Sequence, residues 1–378
     1  MSNQPLRGIR VIDLGTRIAA PFAATTLAEL GADVIKVEDP GTGDMLRELG
    51  PFADGRSLYF GVEDRSRRNV TCNLRVERGQ ELFRRLAATA DVLIENFRPG
   101  TLERWNIGPA QLPPELVIAR ISVLGQDGPD AEQPGLDLTA IARAGLLGIT
   151  GHPDMPPVKS AVVVADHLTG AFAAEAVLAA LLRRRRTGQG SVIDVPLHAS
   201  ILRILESTVA AYDRTGVARA RTGSRGPHEA PSGVYPAADG RYVALVVEHD
   251  HDRDTLAELV SAAPDGGPPD ATTAAWVGAR DADAAIGALQ RAGIPCSLVA
   301  TARDLASDAA LRAQRDLVPV AESGGASTLQ PGAFPRFGDG VAGLPSAARE
   351  IGADNDAVWA EVGVDADTLA TLRADGVV

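Results

Sequence analysis

The sequence predicts an α/β protein, with a parallel sheet and its helices in a large domain and a smaller α/β domain after it. Three observations carry this. Short apolar runs of strand length alternate with helical segments through the first hundred residues. The first two of these runs are separated by a helix, which favours parallel pairing over a hairpin. From about Thr222 the chain turns to loop signals and then starts a second strand and helix series.

The elements follow in order. Arg10 to Leu14 (RVIDL) reads as a buried strand, Pro21 to Leu30 as a helix stopped by Gly31, and Asp33 to Glu38 (DVIKVE) as a second strand. A helix over Arg78 to Thr89 precedes the strand Val92 to Glu95, and Leu116 to Ser122 forms another strand after Pro113-Pro114. An alanine-rich helix, apolar over Ala171 to Leu182, closes in four arginines, Arg183 to Arg186. Cations there complement the helix dipole, so a structural or solvated role is expected. Thr187-Gly188-Gln189-Gly190 ends that helix and gives way to an apolar strand. The large domain is expected over 1–205, completed by about 335–378, with linkers at 206–225 and 311–334 and the small domain at 226–310. Gly226-Pro227 and the stretch Ala263 to Pro269 are its loop signals. Its strands are expected at Tyr242 to Val247 and Cys296 to Val299, with a helix over Ala282 to Ala292. In the helical tail, Asp365 and Asp367 are placed to start the last helix.

Composition narrows the function. A length of 378 residues supports a sizeable core, and 45% hydrophobic with 23% charged residues is ordinary for a soluble globular chain. A net charge of -12 argues against a general nucleic-acid binder, though not against an anion in a local basic pocket. Cys72 and Cys296 form no CxxC pair, which fits a reducing compartment. The N-terminus lacks a signal-peptide core, and the apolar run Ala171 to Leu182 is too short for a bilayer and contains Glu175, so a cytoplasmic protein without a membrane partner is expected.

Several segments could carry chemistry, and each has a plainer alternative. Asp166 lies just ahead of the alanine-rich helix, where it could be a nucleophile; it or Thr169 could equally serve as an N-cap. The turn Gly15 to Pro21 has no GxGxxG, yet it aims a helix start at the ligand side of the sheet, with Arg17 either facing an anion or solvated. Arg65, Arg67 and Arg68 form a basic cluster suited to a phosphate or to the surface. Asn96-Phe97-Arg98-Pro99-Gly100 places an amide, a ring and a guanidinium just past a strand; a turn would need only the Pro-Gly. Glu248 to Asp252 (EHDHD) could present metal ligands from alternate strand positions, but no further ligand cluster supports a metal. There is no GxSxG.

Taken in order, the segments GIRVIDLGTRIAAPFAATTLAELGADVIKVEDPGTGD, ADVLIENFRPGTLERWNIG, LGQDGP, GLDLTAIARAGLLGITG and ADHLTGAFAAEAVLAALLRRRRTGQGSVIDVPL resemble the family III CoA transferases, the group of formyl-CoA transferase and carnitine CoA-transferase. The likeness is close over residues 7 to about 205, with weaker echoes in AGIPCSLV and LRADGVV. It implies a Rossmann-like large domain, a smaller domain and an interlocked homodimer. It also implies CoA transfer from an acyl-CoA thioester to a carboxylic acid acceptor through an aspartyl anhydride and an aspartyl-CoA thioester on Asp166. By the same resemblance Arg17, Ile18, Ala19, Arg67, Asn96, Phe97, Arg98, Thr101 and Arg104 fall where the family contacts CoA, and Asp137 lies near the acyl site. No metal and no permanently bound cofactor are implied; the CoA thioester is the substrate.

Departures from the pattern refine the reading. The related 2-methylacyl-CoA racemases carry His before the acid that matches Asp137, and this chain has Leu136 there. A racemase, epimerase or lyase of acyl-CoA therefore ranks second, and a CoA-ester-binding protein without turnover is a further alternative. No glycine-rich flap like that of formyl-CoA transferase lies between Gly226 and Asp254, which speaks against formyl or oxalyl specificity. His198 stands where the family usually has an acid before Ala199.

Overall fold

The computed structural model describes residues 4–224, 231–260, 269–322, 325–338, 343 and 345–378. The expected loop signals Gly226-Pro227 and most of Ala263 to Pro269 lie outside the described residues, as does part of the segment compared with the flap. The chain folds into two compact units, one of residues 1–146, 160–206 and 310–378, the other of residues 147–159 and 207–309.

The first unit is built on six parallel strands: β1 (Arg10–Asp13), β2 (Asp33–Glu38), β3 (Arg68–Thr71), β4 (Val92–Glu95), β5 (Val117–Ser122) and β6 (Ser191–Pro196). Their order across the sheet is β3-β2-β1-β4-β5-β6. The central strands are buried on both faces, and neighbours such as Val11 and Ile12 are both fully covered. Such strands read as continuous apolar runs, which is why β1, β2, β4 and β5 are legible in the sequence. One layer of the core joins Ile12, Ile35, Val70, Phe83, Leu93 and Ile118 to Trp359 and Leu369 of the C-terminal helices. The tail thus completes the large unit, and Asp365 accepts from the Thr368 N–H to start its last helix.

Four helices position the site: α1 (Ala19–Glu29), α2 (Leu58–Glu63), α3 (Asp137–Arg143) and α4 (Val164–Thr187). Small residues let α1 and α4 pack closely. A Cβ added to Gly170 would lie 2.6 Å from the Ala19 carbonyl oxygen and 3.3 Å from the Ala23 nitrogen. The helix α4 runs through Asp166 and the arginines, longer at both ends than its apolar stretch suggests. Its 24 residues make it long and apolar enough to cross a membrane by length and composition. In this fold Thr169, Gly170, Ala173, Ala174 and Val177 are buried, and α4 ends at Gly188 in the left-handed region. Near that end Arg184 pairs with Asp91 at 2.6 Å and Arg183 bonds Ser191 at 2.7 Å, so these cations tie the helix end to its surroundings.

Residues 311–334 contain an antiparallel hairpin, β10 (Leu317–Ala321) and β11 (Ser327–Pro331), after the three strands of the second unit: β7 (Gly233–Pro236), β8 (Tyr242–Leu245) and β9 (Cys296–Leu298). The order of that three-stranded sheet is β9-β8-β7, antiparallel throughout. Helices Asp250–Val260, Pro269–Gly278 and Ala282–Arg291 enclose its core of Val243, Leu256, Trp276 and Leu289. The EHDHD segment does not offer alternate strand positions: Asp250, His251 and Asp252 begin a helix. Among the described residues no group of three or more His, Cys, Asp or Glu side chains is arranged to hold a metal.

Candidate active site

The order in which the parallel strands are laid down reverses between β1 and β4, and ligands of such sheets collect beyond the carboxyl ends at that point. Two segments meet there. The turn Gly15–Ile18 leaves β1, and Asn96–Gly100 leaves β4. Asn96 locks them together, its Oδ1 accepting the Thr16 N–H and its Nδ2 donating to the Thr16 carbonyl, both at 2.8 Å.

The turn is held from beneath by a buried charge cluster. Lys36, fully buried on β2, donates from Nζ to the Gly15 carbonyl at 2.6 Å and to Asp44 Oδ2 at 2.8 Å. Burial works against the ammonium, but Asp13, Asp44 and Asp64 outweigh it and hold its pKa above the usual lysine range. Asp13 accepts the Gly15 N–H at 2.7 Å, and Asp44 accepts the Arg17 N–H at 3.1 Å. Arg17 adopts a φ of +64°, a left-handed conformation that non-glycine residues rarely take without outside support. The cluster supplies that support. The next residues, Ile18 and Ala19, start α1 with the Ala19 backbone N–H turned towards Asp166.

Asp166 is not the cap of its helix. Val163 occupies the N-cap position, Asp166 lies in the first turn, and Thr169 is fully buried one turn on. The capping is done from another helix: Asp137, first residue of α3, accepts the Ala165 N–H at Oδ1, 2.7 Å away. The Asp166 carboxylate is thereby left for other work. Burial first, and then the charge of Asp137, push its pKa up to about 6; His167, Arg17 and the Ala19 backbone hydrogen bond oppose the rise. It is a carboxylate still ionised at neutral pH and more basic than an ordinary aspartate. Such a group is suited to nucleophilic attack, with a helix N-terminus beside it to receive developing negative charge.

Three neighbours have no motif of their own. Tyr59 and Glu63 come from α2, a helix of six residues with too little length to show a period. Burial, with the charges of Glu63, Asp166 and Asp137, raises the Tyr59 hydroxyl to about 12. His167 follows Asp166 directly, and its Nε2 lies 3.1 Å from Glu63 Oε1. Adjacency to Asp166 was the one signal in the sequence that could have marked His167.

The residues expected to meet CoA divide. Arg17 is half-buried and its charge acts on Asp166, while Ile18 packs on Leu46 and Phe60. Phe97 stands edge-on to Trp105, with ring centroids 5.1 Å apart. Arg98 is exposed and has no side-chain partner among the described residues. Thr101 is buried and accepts from the exposed Arg104 at 2.8 Å. Arg67 is different. Its side chain is buried, paired with Asp13 and, at 2.7 Å, with Asp64, and it donates to the Glu63 carbonyl. These partners hold it in the interior. Arg65 and Arg68 are likewise taken up, by Glu29 and by Asp33 with Glu361, so the basic cluster is structural. His198 lies with Nδ1 3.2 Å from the Val123 carbonyl.

The family model for CoA-transferase family III matches residues 6–355 of this chain. The chain belongs to CoA-transferase family III. It is therefore an enzyme of the CoA-transferase class. It is similar to succinyl-CoA–D-citramalate CoA-transferase of Chloroflexus aurantiacus, 34% identical over 99% of this chain and 98% of that one. The beta subunit of succinyl-CoA–L-malate CoA-transferase of the same organism is 35% identical over 99% and 98%. Among solved structures, a CaiB/BaiF family protein from Brucella suis superposes with a TM-score of 0.85 at 30% identity, covering 95% of this chain and 100% of that one.

Proposed function

We propose that this enzyme moves CoA from an acyl-CoA thioester to a carboxylic acid through covalent intermediates on Asp166. The observation that carries the reading is the Asp166 carboxylate: partly buried in the first turn of a helix that Asp137 caps, raised to about 6, and facing the start of α1. An oxygen of the carboxylate attacks the donor thioester carbonyl. The C–S bond breaks, and CoA leaves as thiolate from a mixed anhydride. The thiolate then attacks the Asp166 carbonyl carbon, and the anhydride C–O bond breaks to release the donor acid as its carboxylate. An acceptor carboxylate attacks the aspartyl thioester and displaces CoA again. Attack by the thiolate on the acceptor carbonyl gives the new thioester and frees Asp166. No net proton moves, so the site needs an ionised nucleophile and oxyanion donors more than an acid or base.

The Ala19 N–H and the start of α1 would steady the oxyanions, with Arg17 adding charge. Exposed Arg98 and Arg104, together with Phe97, would hold the CoA phosphates and base. The order of the six strands supports a Rossmann-like assignment. The names of the two Chloroflexus relatives favour succinyl-CoA as donor and a short hydroxy-dicarboxylic acid as acceptor. We place the reaction in the cytoplasm and in an interlocked homodimer.

The test is exchange. With succinyl-CoA and isotopically labelled dicarboxylates, the label should appear in CoA esters without exchange of the α-proton in deuterated water. Proton exchange in the absence of any acceptor acid would favour a racemase instead, and binding without either exchange would favour a carrier of CoA esters.

A further inference from the structure

We infer that His167 is a positioning residue held as an imidazolium, and that its charge keeps Asp166 ionised beside Asp137. The proposal rests on Asp166 being the nucleophile. Its geometric basis is the pair of contacts made by the ring. Nδ1 lies 2.9 Å from the Val163 carbonyl, which can only accept, so this nitrogen carries a proton. Nε2 lies 3.1 Å from Glu63 Oε1. A carboxylate oxygen likewise can only accept, so opposite it Nε2 donates as well. A neutral imidazole could satisfy only one of the two contacts.

The ring is fixed further by Phe22, which stands edge-to-face at 4.9 Å and 76°. Burial works against the charge, but Glu63, the Val163 carbonyl and Asp166 together raise the His167 pKa above its ordinary range. Helix stability does not explain this arrangement, because a cation in the first turn opposes the helix dipole. The groups facing the pair are accounted for by element: Arg17 and the Ala19 N–H from the β1 turn and α1, Tyr59 and Glu63 from α2, Asp137 from α3, and Asp166 from α4. Asp137 caps α4 and so brings a second negative charge close to Asp166. His167 supplies the opposing positive charge, and Glu63 sets its protonation.

The experiment follows hydroxylamine trapping of the acylated enzyme against pH, each variant normalised to its own high-pH plateau. In His167→Asn and His167→Gln the acid limb should move up by up to about one pH unit, roughly a tenfold loss at low pH. His167→Lys, which keeps the charge, should restore the limb to near its wild-type position. A side chain that only packs would lower the plateau and leave the limb in place. In parallel, ¹⁵N-histidine spectra of the intact enzyme at pH 7.5 should show both nitrogens protonated in the ring whose signal His167→Asn removes. Glu63→Gln should bring that ring back towards ordinary titration. An unmoved limb in both neutral variants, or a neutral tautomer at pH 7.5 in an enzyme that still forms the Asp166 adduct, overturns the proposal. Transfer by Asp166→Asn would overturn the nucleophile instead, and the ¹⁵N readout tells the two failures apart.

Discussion

Asp137 caps the helix that carries Asp166, accepting the Ala165 N–H at 2.7 Å, and by doing so raises the pKa of the neighbouring carboxylate. One acid thus has two effects that substitution can separate. Asp137→Asn keeps an acceptor oxygen for Ala165 but loses the charge. Asp137→Ala loses both.

For the wild type, the acid limb of kcat/KM should fall near pH 6, because the nucleophile works only when ionised and its pKa is raised to about 6. Asp137→Asn removes a negative neighbour, which eases ionisation of Asp166, so the limb should move to lower pH. Asp137→Ala should shift the limb the same way and also cost about 1–2 kcal/mol of stability from the lost cap. A limb that moves upward in Asp137→Asn would contradict the electrostatic account. Equal urea midpoints for the two variants would contradict the cap.

The contact between α1 and α4 leaves no room at Gly170. A Cβ there would meet the Ala19 carbonyl oxygen at 2.6 Å, and a backbone atom cannot rotate away. Gly170→Ala should therefore push the helices apart, lowering stability by about 1–3 kcal/mol. The same shift carries the Ala19 N–H away from Asp166, so the trapping rate should drop at every pH. An alanine variant with unchanged melting temperature and trapping rate would show that the two helices are free to separate.

Lys36 neutralises the acids that shape the β1 turn. With Lys36→Met the carboxylates of Asp13 and Asp44 keep their burial and lose their nearest ammonium. Breaking a buried network by removing one partner typically costs about 3–5 kcal/mol. Urea denaturation should report a loss of that order, and a loss below about 1 kcal/mol would mean that the remaining Arg67 charge suffices.

Two arginines that the resemblance puts at the CoA site should behave in opposite ways. Arg98→Ala should raise the KM for acyl-CoA about tenfold, as expected for a lost charge-assisted contact, with an unchanged melting temperature. Arg67→Ala should destabilise the fold, since its guanidinium is buried against Asp13 and Asp64. Kinetics and melting curves measured on both variants decide this; a raised KM with intact stability in Arg67→Ala would return that residue to the ligand.

Much of the sheet is legible in the sequence because its strands are apolar runs buried on both faces; Asp33–Glu38 and Val92–Glu95 are found at the limits read from the residues. The edge strand Arg68–Thr71 is not legible. Its polar residues are satisfied by Asp33, Asp354, Asn355 and Glu361, most of them far along the chain. The burial of Arg67 is hidden for a similar reason: a sequence shows the charge but not Asp13, the partner that buries it. Asp166 lies in the helix rather than ahead of it, because local pattern cannot reveal a cap donated by Asp137. Tyr59 and Glu63 reach the site from a six-residue helix, and only the tertiary fold brings them to His167.

In the proposed reaction Asp166 forms covalent bonds to the acyl group and to CoA in turn. Incubating the enzyme with succinyl-CoA and hydroxylamine, then digesting it for peptide mass spectrometry, tests this directly. A hydroxamate should form on Asp166, activity should be lost in step with its formation, and Asp166→Asn should give no adduct. A hydroxamate on another residue, or transferase turnover by Asp166→Asn at the wild-type rate, would contradict it.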